Sequence, residues 1–335
     1  MTNVIQLAKK YSGILDKVYK QSAKTAVLEG NNEATRLGAN AHEILIPKMD
    51  MDGLADYNRS GGYTDGHVDL EYETKAFNYE RGRMFTVDTM DNEETQELAF
   101  GQLAGEFVRT KAVPELDAFR FATLASYSGI GSKSAALTTG ANVISAIRGA
   151  TQAMDEGEVD ENDRYLFITP TLYGMIEDLD TYKSKAVLSR FAQIITVPQT
   201  RFYSAITLLD GTTAGEEAGG YGKRAAVYTL TKDVAIDSSK TYYTKNGDTY
   251  TAVESPDVAD IATYYELTTA AGVNLNFLAV SKASVLAYSK HVVSKIITPE
   301  VNQTSDGWKY AYRSYGITEV YDNKKAGIFA HLANS

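Results

Sequence analysis

The side chains that could do chemistry in this sequence are few and scattered. Its histidines, His42, His67, His291 and His331, fall singly, and no HExxH zinc pair or G-x-S-x-G nucleophile elbow accompanies them. With no cysteine in 335 residues, thiol chemistry and a disulfide scaffold are excluded. Asp50 and Asp52 stand before Gly53 as in a calcium loop, yet no third ligand precedes the glycine and no glutamate closes the loop. Gly129–Ser134 (GIGSKS) approaches a phosphate loop, but Ser132 breaks the Gly-Lys-Ser order and no strand leads in, so 129–140 reads as a linker. There is no dinucleotide fingerprint. Asn302-Gln303-Thr304 is a glycosylation sequon, which has no meaning without secretion. Asp and Glu total 43, but abundance assigns no acid–base pair. The residues name no catalytic, cofactor-binding or metal site, and the chain reads as a non-enzyme.

Composition narrows the partners. A net charge of −10 argues against tight, sequence-reading nucleic-acid binding, which needs Lys and Arg to displace counterions. The lack of cysteine fits folding in a reducing cytosol. No apolar run approaches the roughly 20 residues of a membrane helix, and the N-terminus lacks a signal-peptide core. At 44% hydrophobic residues the chain is long enough to bury two cores. Tyrosine, at 23 residues against one tryptophan, fits either interfaces or exposed strand faces.

The elements that must carry these residues are organised around Val68 to Ala125. Val68, Leu70 and Tyr72 alternate, parity switches near Lys75, and Phe77, Tyr79, Phe85 and Val87 follow. This predicts long half-buried strands with a bulge or bend. Asp91 is placed to cap a helix with Glu93, Glu94 and Glu97 in its first turn. Phe100, Leu103, Ala104, Phe107 and Val108 keep helical spacing until Pro114, which stops or kinks the helix before a second run with Leu116, Phe119 and Leu124. Upstream, Leu7, Tyr11, Ile14 and Val18 predict an amphipathic helix within 1–30. Lys9, Lys10, Lys17, Lys20 and Lys24 there form either a solvated face or an arm that touches an acidic partner or DNA. Glu43–Lys48 is a short strand, at an edge because of Pro47. Met49–Gly66 has no period and reads as a projecting loop.

In the second half, Thr139 caps a helix over about 141–156 with Val143, Ile147, Ala150 and Met154 on one face. Tyr165–Ile168 meets Thr169-Pro170 and a helix, and Leu275–Val280 meets Ser281 and a second helix over 282–290. Strand, cap and helix twice over predict an α+β domain spanning roughly 160–290. Within it, Thr229–Thr268 is dense in Thr and Tyr. Asn246-Gly247 predicts a type I′ hairpin turn that sets Lys245 opposite Asp248 and Tyr243 opposite Tyr250. This segment reads as an inserted β module that needs support from its host. From His291 the chain is β again, and the strands up to Ile328–Leu332 find their natural partner in the ribbon at 68–88.

Six strings, taken in order, resemble the major capsid proteins of tailed bacteriophages with the Hong Kong 97-type fold. They are GLADYNRSGGYTDGHV (53–68), ERGRMFTVDTMDNEET (80–95), AVPELDAFRF (112–121), LFITPTLYGMI (166–176), NFLAVSKASV (276–285) and DGWKYAYRSYGITEVYDNKKAGIFAH (306–331). The resemblance implies an α+β fold with a long spine helix (91–112) and an extended β-loop. Its implied parts are an N-terminal arm (1–43), an extended loop (44–78) reaching over a neighbouring subunit, a peripheral domain (79–140 and 291–335) and an axial domain (141–290). The β module at 229–268 is an insertion outside the common fold.

The implied function is structural. Hexamers and pentamers of the chain tile an icosahedral shell around double-stranded DNA held without sequence specificity. Scaffolding protein and portal are the further partners, with no cofactor and no membrane. Its place is the virion, assembled in the bacterial host cytoplasm. Residues 1–43 are too short for the fused scaffolding domain of some members, so the expectation is a separate scaffolding protein or an N-terminus already partly removed, the latter disfavoured by Met1. Rival readings are a tail or adhesin-like phage structural protein, favoured by the Tyr/Thr module, and an encapsulin-like nanocompartment shell.

Overall fold

A computed structural model describes residues 23–30, 36–37, 43–94, 98–179 and 181–334. Strands β1 (Arg36–Leu37), β2 (Glu43–Met51), β3 (Val68–Ala76) and β4 (Tyr79–Asp88) lead to helices α1 (Thr89–Glu94) and α2 (Leu98–Phe107). A π turn over Val108–Ala112 precedes α3 (Val113–Ser126). Then come β5 (Gly131–Ser134), α4 (Gly140–Glu156), β6 (Arg164–Ile168), α5 (Pro170–Glu177), α6 (Tyr182–Leu188), β7 (Gln193–Thr196), β8 (Ile206–Leu209) and β9 (Gly220–Lys223). The last strands are β10 (Val227–Leu230), β11 (Tyr242–Asn246), β12 (Thr249–Ala252), β13 (Tyr265–Thr269), β14 (Leu275–Ser281), β15 (Val285–Ile297), β16 (Gly307–Val320) and β17 (Ile328–Leu332).

The chain divides into two compact units, Met1–Val113 with Ser281–Lys325, and Pro114–Val280 with Ala326–Ser335. The expected divisions at 140/141 and 290/291 fall inside these units. Strand pairing is the reason. The last strand, β17, lies between β14 and β5 instead of joining the 68–88 ribbon, so it belongs to the second unit.

In the first unit β15, β16 and β4 form an antiparallel sheet with β16 in the middle. Phe85, Tyr310 and Tyr312 alternate onto one face and meet Phe107 of α2, with ring centroids 4.9, 6.3 and 5.7 Å away. The parity switch of the ribbon is a break between two sheets, because β3 pairs with β2 and β4 with β16. Asn78 sits in the break. Its amide donates to the carbonyl of Thr318 (2.7 Å) and accepts the N–H of Thr318 (3.1 Å), so a side chain replaces a ladder rung.

Three local expectations need correction. Asp91 lies inside α1, and the capping role falls to Asp88, whose carboxylate accepts the N–H of Met90 at 2.9 Å. Pro114 does not end the helix. A π turn precedes it, with the Val113 N–H bonded five residues back to Val108, so the proline's missing donor falls where the ladder is already offset. The run 282–290 is not an α-helix: Lys282–Ser284 is a single 3-10 turn and β15 starts at Val285, because Leu286 and Tyr288 find partners Glu319 and Ile317 on β16. At the N-terminal end, Lys24–Leu28 is a 3-10 turn with Thr25 and Leu28 buried, and the expected helix before residue 23 lies outside the described residues.

The second unit is built on the sheet β5-β17-β14-β6-β7. Helix α4 presents Val143, Ile147, Ala150 and Met154 to a core shared with Leu166, Ile168, Phe277 and Ala279. Thr139 caps it by accepting the N–H of Asn142 at 3.3 Å. Gly140 permits close packing of α4 on α5, since a Cβ there would stand 2.1 Å from the Met175 carbonyl. The expected linker at 129–140 contains β5, which runs parallel to β17 with Gly131 opposite Phe329. This explains the glycine, whose Cβ would press the Phe329 ring at 2.6 Å.

The Thr/Tyr segment of this unit is a four-stranded sheet in the order β10-β13-β11-β12. Its small core is Tyr242, Ile261 and Tyr264 with Ile236 and Val253. Beside Tyr242, Asp233 takes hydrogen bonds from Lys240 and Tyr242, each at 2.8 Å, which hold its carboxyl below the usual range. The hairpin register differs from the expected one. Lys245 faces Tyr250 and Asn246 faces Thr249, so Gly247-Asp248 makes the turn, with Gly247 at φ 59° in the first central position. The segment enters and leaves through one stem, where Gly272 bonds to Arg224 and Arg224 to Ala205.

Candidate assembly surface

The residues from Glu43 to Ala76 form a two-stranded ribbon, paired from Glu43↔Ala76 to Met51↔Val68. Its base is anchored, since Ile44 and Ile46 are buried with Leu286 and Ile317. Strand β1 pairs with Ile44 and Leu45, and among the described residues the outer edge of β2 has no partner at Pro47, where a missing N–H is tolerated.

Beyond the base the register sorts the side chains by chemistry. One face carries Pro47, Met49 and Met51 opposite Tyr72, Leu70 and Val68, and the other carries Lys48 opposite Glu71 and Asp50 opposite Asp69. Among the described residues nothing covers the apolar face. Met49, Met51, Val68, Leu70 and Tyr72 are between 47% and 63% exposed. Contiguous apolar surface of this kind marks an interaction site.

The ribbon's tip is ordered, whereas the sequence predicts an aperiodic loop. Asn58 and Gly62 exchange both backbone hydrogen bonds (3.2 and 2.7 Å), and the Asn58 side chain accepts the N–H of Ser60 at 2.8 Å. Gly62 has φ 84°, a conformation that favours glycine. Tyr57 and Tyr63 meet edge to face at 5.0 Å. The signal for this surface was present in the alternation of Met49 and Met51 with Asp50 and Asp52, but that run is too short to read as a strand without its partner.

The other candidate residues serve structural ends. Asp52 accepts the N–H of His67 at 2.7 Å and so closes the ribbon's last rung. His67 is exposed and 3.0 Å from Asp69, and His42 lies outside the described residues. His331 is buried, stacked on Phe277 at 4.9 Å, with Nδ1 3.0 Å from the Asn276 amide. Burial, with the Lys133 charge, pushes its pKa down and keeps it neutral. Asn302 of the sequon holds the turn between β15 and β16, donating to Gly307 at 2.8 Å. Among the described residues no group of three or more His, Asp or Glu is placed to hold a metal ion, and no helix is long and apolar enough to cross a membrane.

No protein-family model matches the sequence, and no curated protein matches it. Solved structures do. The chain is similar to one in the capsid structure of the cyanophage P-SCSP1u, with a TM-score of 0.51 and 11% identity over 90% of this chain and 86% of that one. It is similar also to one in the asymmetric unit of the bacteriophage PhiM1 mature capsid, with a TM-score of 0.51 and 10% identity over 88% of this chain and 82% of that one. At 88% or more of this chain, these likenesses reach into both units. This chain has the fold of the tailed-phage major capsid proteins.

Proposed function

We propose that this chain is the major structural subunit of a tailed-phage capsid. It assembles through hexamers and pentamers into an icosahedral shell around double-stranded DNA, with scaffolding protein and portal as partners. The unit built on β15, β16 and β4 takes the peripheral role and the unit built on the α4 core the axial one. The observation that carries this reading is the apolar face of the ribbon. A monomer gains nothing from holding Met49, Met51, Val68, Leu70 and Tyr72 in water, whereas a neighbouring subunit covering them gains roughly 25 cal/mol for each Å² of apolar surface removed.

The test is assembly of the expressed chain, viewed by electron microscopy. The wild-type chain gives closed shells. The double variant Met49→Glu, Leu70→Glu leaves a folded subunit by circular dichroism that forms none. Shells from the double variant, or none from the wild-type chain with scaffolding protein supplied, would sink the proposal.

A further inference from the structure

The two faces of the β10-β13-β11-β12 sheet are built on different chemistry. On one, Tyr242 and Tyr264 are buried and their hydroxyls are used. Tyr242 donates to Asp233 (2.8 Å) and accepts the N–H of Asp237 (3.0 Å), and Tyr264 accepts the N–H of Asp257 (3.1 Å). On the other, the register gathers Tyr228, Tyr243, Tyr250 and Tyr265 with Leu230, Leu267 and Lys245. Tyr228 stacks on Tyr250 with centroids 4.0 Å apart and planes 10° from parallel. Tyr243 meets Tyr228 edge-on at 4.9 Å, and Tyr265 meets Tyr250 at 5.2 Å.

These four rings are half-buried by one another, and none of their hydroxyls has a hydrogen-bond partner among the described residues. Leu230 and Leu267 beside them are 50% and 41% exposed. Lys245, with Nζ 5.6 Å from the Tyr250 centroid, is the one charge among the paired residues of this face.

We propose that this face is a carbohydrate-binding platform. Tyrosine rings offer an apolar surface of negative potential against which the C–H faces of a sugar ring stack. Their free hydroxyls donate to and accept from sugar hydroxyls, and the nearly uncharged surroundings suit a neutral ligand. Size decides against a macromolecular partner. Four strands of four or five residues, about 4.8 Å apart and rising about 3.4 Å per residue, give a face of roughly 200 Å². A stable protein interface takes about 800 Å² from each partner. Two or three sugar rings fill the face.

The experiment is retention of the full-length chain on four immobilised neutral polysaccharides: starch, cellulose, mannan and chitin. It does not depend on shell formation. The wild-type chain is retained on at least one and released by the matching soluble hexasaccharide. Tyr228→Ala and Tyr250→Ala each weaken retention by about tenfold or more. Tyr250→Phe, which keeps the ring and the fold, weakens it by about three- to tenfold through the lost hydroxyl. Hydrogen exchange over 227–269 checks that each variant keeps its sheet, and if the alanine variants lose it, Tyr250→Phe carries the test. Retention on none of the four, or retention that Tyr250→Phe leaves unchanged, overturns the proposal. So does a Tyr250-dependent association between copies without saccharide, which would assign the face to a second copy.

Discussion

The ribbon at 43–76 and the Tyr/Thr module at 227–269 are both β-structures with uncovered apolar side chains, yet they solve the problem of burial differently. The ribbon has a core only at its base, where Ile44 and Ile46 are buried, and past Pro47 its two faces divide into apolar and charged. The module carries a core of its own, with Lys240 set between Asp233 (2.8 Å) and Glu266 (3.2 Å) above it. What the ribbon exposes is flexible and aliphatic, mainly Met, Leu and Val. The module's exposed face is aromatic with hydroxyls. The first is surface awaiting a large cover, and the second is a small finished face.

The sharpest test of this contrast is reciprocal deletion. Joining Lys48 to Glu71 through a short turn abolishes shells in electron micrographs, whereas replacing 227–269 with a Gly/Ser linker from the Arg224 stem leaves them intact. Equal outcomes would erase the distinction. Next in size, Tyr242→Ala costs the module about 3–5 kcal/mol through its lost core. Hydrogen exchange then rises across 227–269 and not across 43–76.

Acid separates the two further. Lys240 and Tyr242 lower the Asp233 pKa in the folded state, so its stabilising contribution is present above the ordinary carboxylate pKa, near 3.9, and lost as pH falls through the folded value. Tyrosine resonances of the module therefore broaden or shift on acidification below about pH 4, and Asp233→Asn removes that dependence. The smallest effect is at the hairpin. Gly247→Ala places a side chain at φ 59° and costs at least about 1 kcal/mol, read as a drop in the module's exchange protection.

Local chemistry made much of the fold legible. Thr139, the Val143–Met154 face and Pro170 mark α4 and α5 because a cap, helical spacing and a first-turn proline act within a few residues, although Thr169 holds the N-cap position of α5 without a side-chain hydrogen bond. Where a distant partner decides, the sequence was silent. Residues 282–290 have good helical composition, but after one 3-10 turn β16 recruits them from Val285 onward as a strand. In the hairpin, β13 fixes β11 by pairing with Tyr242 and Tyr243, and the turn moves one residue along to Gly247-Asp248. Of the candidate surface, Val68, Leu70 and Tyr72 were readable as one alternating set. Their exposure was not, because a period of two does not say which face is covered.

Among the described residues the ribbon past the reach of β1 is two strands wide. Pairs of strands twist over a wider range than strands held in a larger sheet. A narrow ribbon thus behaves as a torsion spring, turning at little cost while keeping its own hydrogen bonds. In the proposed shell one polypeptide occupies rings of five and of six, where the angle to the next copy differs. The compliance needed to make the same contact at both angles then resides in the two strands between Pro47 and Tyr72, and neither the β15-β16-β4 sheet nor the α4 core has to deform.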